Sequence, residues 1–189
     1  MQTNDYLNIN KQTWNNKVEV HVNSDFYDME GFLKGKSTLN SIELDLLGDV
    51  SGKRVLHLQC HFGQDTMTLA RMGAKATGID LSDKAIEKAK EINNKLNLDA
   101  TFICCDIYDL PNHLDEKFDI VFTSYGTIGW FPDLDKWAKI ISHFLKPDGK
   151  FVFAEFHPLV WMFDNDFKEV FKTIEQVYGT RKATEITLE

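Results

Sequence analysis

With 189 residues, the chain suits one domain, being too long for a disulfide-stapled miniprotein and too short for two ordinary domains. Hydrophobic residues at 43% and charged residues at 26% provide ample apolar surface for a packed core and exclude a disordered chain. The net charge of -8 argues against nucleic-acid and membrane partners, because phosphate backbones and anionic lipid attract basic surfaces.

Residues 1 to about 35 are polar with scattered aromatics (Tyr6, Trp14, Phe26, Tyr27), which predicts an irregular or weakly helical arm, or a lid, laid over the rest. Its start, MQTNDYLNINK, lacks the apolar centre of a signal peptide, and no apolar run reaches the roughly 18 to 20 residues of a membrane span, so a cytoplasmic location is expected. The remainder, 36–189, reads as a single α/β domain. Ser37 to Leu47 sets Leu39, Ile42, Leu46 and Leu47 on one helical stripe that ends at Gly48. Short, nearly continuous apolar runs follow at Arg54–Leu58, Ala76–Ile79, Thr101–Cys105, Phe118–Phe122 and Phe151–Ala154, the signature of strands buried on both faces. Adjacent Cys104 and Cys105 would face opposite sides of such a strand, so reduced, mostly buried thiols are expected of the three cysteines.

Between the strands lie helices with clear punctuation. Ser82 can cap a helix that turns Ala85, Ala89, Ile92 and Leu96 inward. After Pro132 and Asp133, a second helix presents Trp137, Ile140, Ile141, Phe144 and Leu145, and Pro147-Asp148-Gly149 turns the chain into the last strand. This alternation predicts a doubly wound, mostly parallel sheet with helices on both faces, whose ligand sits beyond the carboxyl ends of the strands. The tail from Leu159 is short for a closing hairpin. An open edge there would suit a homodimer.

The first strand end reads VLHLQCHFGQD. A pyrophosphate needs several glycines at a helix N-terminus, whereas this loop has Gly63 alone and places Asp65 where the phosphate would lie. The second strand ends at Asp80, 17 positions past Gly63, about the separation at which an acid accepts hydrogen bonds from a ribose diol. The alternative, that Asp80 merely helps cap the next helix, is the weaker one because Ser82 is already a good cap. Asp106, at the third strand end, can accept from an adenine amino group or cap a helix. His57, Cys60 and His61 do not make a metal site, since they lie on a strand end where side chains alternate and zinc favours spaced ligand pairs.

The series VLHLQCHFGQDTMTLA, GIDLS, ICCDIYDL, FDIVFTSYGTIGWF and LKPDGKFVFAEFHP resembles the class I S-adenosylmethionine-dependent methyltransferases over roughly residues 50 to 157. The resemblance implies that Gly63 and its loop, with Gln59 and His61, carry the methionine part of the cofactor. It assigns the ribose to Asp80 with Leu81 and the adenine to Asp106 with Ile107, and counts Ser124 among the cofactor residues. The family's loop usually begins with an acid and has glycines at alternate positions, where this chain has His57, Gln59, His61 and Gly63. Those replacements either narrow the pocket or demand a different backbone path, or else Gln59 and His61 supply polar contacts to a carboxylate. Tyr125 and Trp130 follow the fourth strand, where the family frames the acceptor, and either line that site or simply pack. His157, after the fifth strand, is a candidate base for an acceptor hydroxyl or amine.

The expectation is therefore methyl transfer to a small-molecule acceptor without a metal. The alternatives are a nicotinamide-dependent oxidoreductase, against which the single loop glycine argues, and a binding module without catalysis.

Overall fold

The computed structural model describes residues 5–157. Five strands, β1 (Arg54–Leu58), β2 (Lys75–Asp80), β3 (Thr101–Cys104), β4 (Phe118–Ser124) and β5 (Leu145–Ala154), form one sheet in the order β3-β2-β1-β4-β5, and every pairing is parallel. The strand order reverses between β1 and β4, so the crevice at their carboxyl ends is where a ligand is expected in an open α/β sheet. The predicted strands fall within or beside the observed ones. β5 starts earlier than expected, because Leu145 already pairs with Phe118 and Pro147-Asp148-Gly149 is absorbed in an irregularity before Lys150 pairs with Ile120.

Both faces of the sheet are covered. Alternate residues of β1 feed opposite cores: Leu56 and Leu58 pack with Phe118, Val121, Ile140, Ile141 and Phe144, the last three from helix Leu134–Phe144. Val55 packs instead with Leu39, Leu47, Leu69 and Phe122. A further cluster joins Phe32, Phe62, Met67, Ile86, Ala89 and Phe102. In chain order the helices are α1 (Asp5–Val22), α2 (Met29–Leu33), α3 (Ser41–Leu47), α4 (Gln64–Arg71), α5 (Asp83–Lys95) and α6 (Leu134–Phe144). Ser82 caps α5 as the sequence suggests, its hydroxyl accepting from the Ala85 N–H at 3.1 Å.

Two expectations are corrected. The arm is dominated by an 18-residue helix, α1, and is neither irregular nor weakly helical. The helix placed at Ser37 begins only at Ser41, because Asn40 and Glu43 form a capping box there; Leu39 and Leu47 are buried but Ile42 and Leu46 face solvent. All three cysteines are free, with Cys60 and Cys105 buried and Cys104 exposed. Residues 1–154 form one compact unit and Glu155–Glu189 a second, of which 155–157 are described. The expectations about the tail from Leu159 lie outside the described residues. Among the described residues no helix is long and apolar enough to cross a membrane.

Candidate active site

The loop between β1 and α4 turns on three left-handed residues at alternate positions: Gln59 (φ 52°), His61 (φ 51°) and Gly63 (φ 77°). These are the positions at which the resemblance leads one to expect glycine, and all three take a backbone conformation that glycine adopts freely. Such a conformation costs a non-glycine residue of order 1–3 kcal/mol, which the surroundings must offset. At Gly63 a side chain has no room, since a Cβ would stand 2.4 Å from the Phe102 ring. Gly78 on β2 is constrained similarly, with Thr66 Oγ1 and Cys60 Sγ 2.8 and 2.9 Å from where its Cβ would be.

Hydrogen bonds fix the loop. Asp80, at the tip of β2, accepts from the His61 N–H through Oδ2 and from the Ser82 N–H through Oδ1, each at 2.8 Å. Burial raises its carboxyl to about 6, against the opposing pull of those N–H groups. The Gln59 side chain accepts from the Thr123 hydroxyl at 3.1 Å, while its amide nitrogen is buried without a partner. His57, where the family has an acid, is buried; its Nδ1 lies 2.8 Å from Thr66 Oγ1, and burial lowers its pKa to about 3, which keeps the ring neutral.

On the β4 side, Asp65 in the first turn of α4 accepts from the Thr38 hydroxyl at 2.5 Å and the Ser124 hydroxyl at 3.4 Å. Burial raises its pKa, as does the nearby Glu43. Tyr125 (φ 36°) hydrogen-bonds Glu43, and burial together with that carboxylate pushes its phenol up to about 12. It is therefore protonated at neutral pH, donating to Glu43 while Asn40 donates to its oxygen.

Helix α1 lies across this edge. Tyr6 feels the charge of Asp106; the Asn15 amide donates to Asp83 at 3.0 Å and its carbonyl accepts from the Ser82 hydroxyl; the Asn10 amide donates to the Trp130 carbonyl. The Trp14 ring meets His61 and Trp130 edge-on, each at 5.3 Å between centroids. His61 also packs against His21 (5.1 Å) and Tyr27 (5.7 Å), and both its ring nitrogens are buried without a partner. Burial, followed by His21 and Lys17, lowers its pKa to about 3.

Thus Gln59, His61, Gly63, Asp80, Leu81, Ser124 and Tyr125 gather at the carboxyl edge of β1, β2 and β4. Asp106 stands beyond β3, where its Oδ1 accepts from the Tyr108 N–H at 3.2 Å and caps a short 3-10 turn; Ile107 is buried in the core. His157 is exposed and belongs to the second unit, so it is not grouped with these residues. Sequence reasoning missed Lys17, His21, Thr38 and Glu43, which no strand-end motif marks. Among the described residues there is no group of three or more His, Cys, Asp or Glu able to hold a metal.

The family described as "Methyltransferase domain" matches residues 49–187. The chain belongs to this family. It is 29% identical over 133 residues to a ubiquinone biosynthesis O-methyltransferase of Coxiella burnetii, a match covering 69% of this chain and 56% of that protein. It therefore spans little more than half the length of that relative. An S-adenosylmethionine-dependent methyltransferase of Mesorhizobium loti superposes with a TM-score of 0.58 at 26% identity, covering 69% of this chain and 59% of the other. A methyltransferase of Thiobacillus denitrificans, crystallised with S-adenosyl-L-homocysteine, aligns with a TM-score of 0.50 at 25% identity, covering 67% and 54%. The fold shared with these proteins is the Rossmann-like one of class I S-adenosylmethionine-dependent methyltransferases.

Proposed function

We propose that this chain uses S-adenosylmethionine to methylate a small-molecule acceptor. The observation that carries the reading is the run of left-handed residues at 59, 61 and 63 beside a strand-tip carboxylate at Asp80. The residues fit that cofactor. Asp80 accepts from the backbone N–H groups of His61, Ser82 and Leu81, and a carboxylate's four acceptor positions leave room for a ribose hydroxyl. Asp65, in the first turn of α4, opposes a pyrophosphate but not a cofactor that has none. When bound, S-adenosylmethionine supplies a sulfonium-activated methyl group and its own leaving group.

The protein's part is then positioning and electrostatics. Gln59, His61, Gly63 and Ser124 hold the methionine portion, Asp80 and Leu81 the ribose, and Asp106 with the Ile107 backbone the adenine. Tyr125, its phenol tied to Glu43, frames the acceptor. Helix α1 acts as a lid. The small-molecule class is supported by the acidic chain and by the name of the Coxiella relative. A cytoplasmic location and a homodimer through the sheet edge belong to the same reading; sedimentation showing a monomer at high concentration removes the dimer.

The test is a thermal shift series with S-adenosylmethionine, S-adenosylhomocysteine and NAD, followed by release of S-adenosylhomocysteine across a metabolite panel. A ligand at about 100 times its dissociation constant adds roughly 2.7 kcal/mol of stability, well within reach of the assay. Stabilisation by NAD and not by the sulfonium compound overturns the reading; binding without turnover on any acceptor reduces it to a binding module.

A further inference from the structure

Asp65 stands two residues past Gly63, in the first turn of α4, and reaches across the crevice to the tip of β4. Its Oδ1 accepts from the Thr38 hydroxyl at 2.5 Å. Its Oδ2 takes only a long bond from the Ser124 hydroxyl, at 3.4 Å, and so keeps acceptor capacity. Asp65 and Ser124 are both partly exposed, so the place where they meet is not sealed from solvent.

This carboxylate lacks a counter-charge. None of the ion pairs among the described residues includes Asp65 or its neighbour Glu43. Glu43 is itself buried and takes the Asn40 N–H at 3.1 Å and the Asn40 side-chain amide at 3.2 Å. The N-terminus of α4 favours an anion, yet burial outweighs it: burial, and after it Glu43, raises the Asp65 carboxyl against the two hydroxyls that oppose the shift. Two neighbouring carboxylates in a desolvated setting call for a cation.

The residues assigned to the methionine portion do not meet that portion's own positive charge. Gln59, Gly63 and Ser124 are uncharged, and His61 and His57 are neutral at pH 7 because burial lowers both to about 3. The amino-acid end of S-adenosylmethionine carries an ammonium and a carboxylate on one carbon. Of that pair, an acid attracts the ammonium and repels the carboxylate.

We propose that Asp65 receives the α-ammonium of the cofactor's methionine portion, with Ser124 beside it, and thereby sets which charged group of that amino acid turns toward α4. The inference rests on the cofactor assignment above. It makes Asp65 a specificity residue, favouring ligands that carry the amine and disfavouring those that present a carboxylate alone.

The experiment is calorimetry of the full chain at neutral pH with three probes. They are S-adenosylhomocysteine, S-adenosyl-4-mercaptobutyrate, which is the same thioether without the amino group, and 5′-methylthioadenosine, which lacks the amino-acid end altogether. Wild type should prefer S-adenosylhomocysteine to the mercaptobutyrate compound. Asp65→Asn should weaken S-adenosylhomocysteine by about tenfold or more, as loss of a charge-assisted bond requires, while methylthioadenosine stays within about twofold and the mercaptobutyrate compound binds equally or better. Equal weakening of all three probes makes Asp65 a structural residue and overturns the proposal, as does a variant that keeps the wild-type preference. Wild type that binds none of the three overturns the cofactor assignment itself, and the proposal with it. Asparagine still offers Thr38 an acceptor and removes a like charge beside Glu43, so the variant should melt no lower than wild type. Asp65→Ser, a second neutral variant, should show the same loss of preference and decides the matter if Asp65→Asn fails to fold.

Discussion

The backbone N–H of His61 donates to Asp80 Oδ2 at 2.8 Å, hooking the loop that leaves β1 onto the tip of β2. That bond couples the conformation of the loop to the carboxylate assigned to the ribose. It also occupies one lone pair of the oxygen, so the charge on Asp80 matters twice.

The Asp80 carboxyl is raised from 3.8 to about 6 by burial, and a diol donates best to the ionised form. Cofactor affinity should therefore climb as pH rises through about 6 and level off above it, read by calorimetry between pH 5 and 8. Asp80→Asn should flatten that profile and bind roughly tenfold or more weakly at neutral pH, as loss of a charge-assisted bond of about 1.5–3 kcal/mol requires. A profile that is unchanged in the variant removes Asp80 from the ribose. The stability linkage has the opposite sense: between about 3.8 and 6 the folded carboxyl keeps a proton that the unfolded chain has released, so this group's contribution declines as pH rises across that window.

His61 runs the other way. Its pKa falls from 6.5 to about 3 on folding, so its contribution is present above 6.5 and is lost as pH drops, by up to about 2 kcal/mol at pH 5. His61→Phe keeps a ring among Trp14, His21 and Tyr27 but cannot take up a proton. The difference in denaturant stability between pH 8 and pH 5 should shrink in the variant. An unaltered difference would mean that His61 does not titrate as its burial dictates.

Gln59 sits at φ 52°, where a side chain is strained. Gln59→Gly and Gln59→Ala both delete the contact with Thr123, so their comparison isolates the backbone. The glycine variant should be the more stable by about 1 kcal/mol. If alanine is equal or better by chemical denaturation, the left-handed turn is not what the sequence sustains there.

Trp14 touches His61 and Trp130, and the Lys17 ammonium stands 4.8 Å from the Trp14 ring and 5.5 Å from that of Trp130. If α1 is a lid, Trp14→Ala should weaken S-adenosylmethionine binding about fivefold to tenfold, since one aromatic pair alone contributes about 0.5–1.5 kcal/mol. Equal affinity with a lowered melting temperature would make α1 a packing helix only.

The sheet was legible because buried parallel strands demand continuous apolar runs, and Arg54–Leu58 is reproduced to the residue as β1. Ser82 was legible because a helix cap is a local device. Helix α1 was not. Its stretch DYLNINKQTWNNKVEVHV has no strong apolar stripe, and several of its ties to the rest of the molecule are polar ones through Asn10 and Asn15. The loop posed the opposite difficulty: its residue types suggested a rerouted backbone as readily as a preserved one, and only φ at 59 and 61 separates them. Glu43 escaped notice because its place beside Tyr125 is set by tertiary packing and has no signature in the chain.

Two amino acids with functional groups now stand where glycine would have offered bare main chain. The turn beyond β1 thereby carries an amide and an imidazole while its three alternate positions all keep left-handed torsion angles. Searches keyed to a glycine spelling would pass over such chains, whereas a survey of backbone handedness after the first strand would retrieve them.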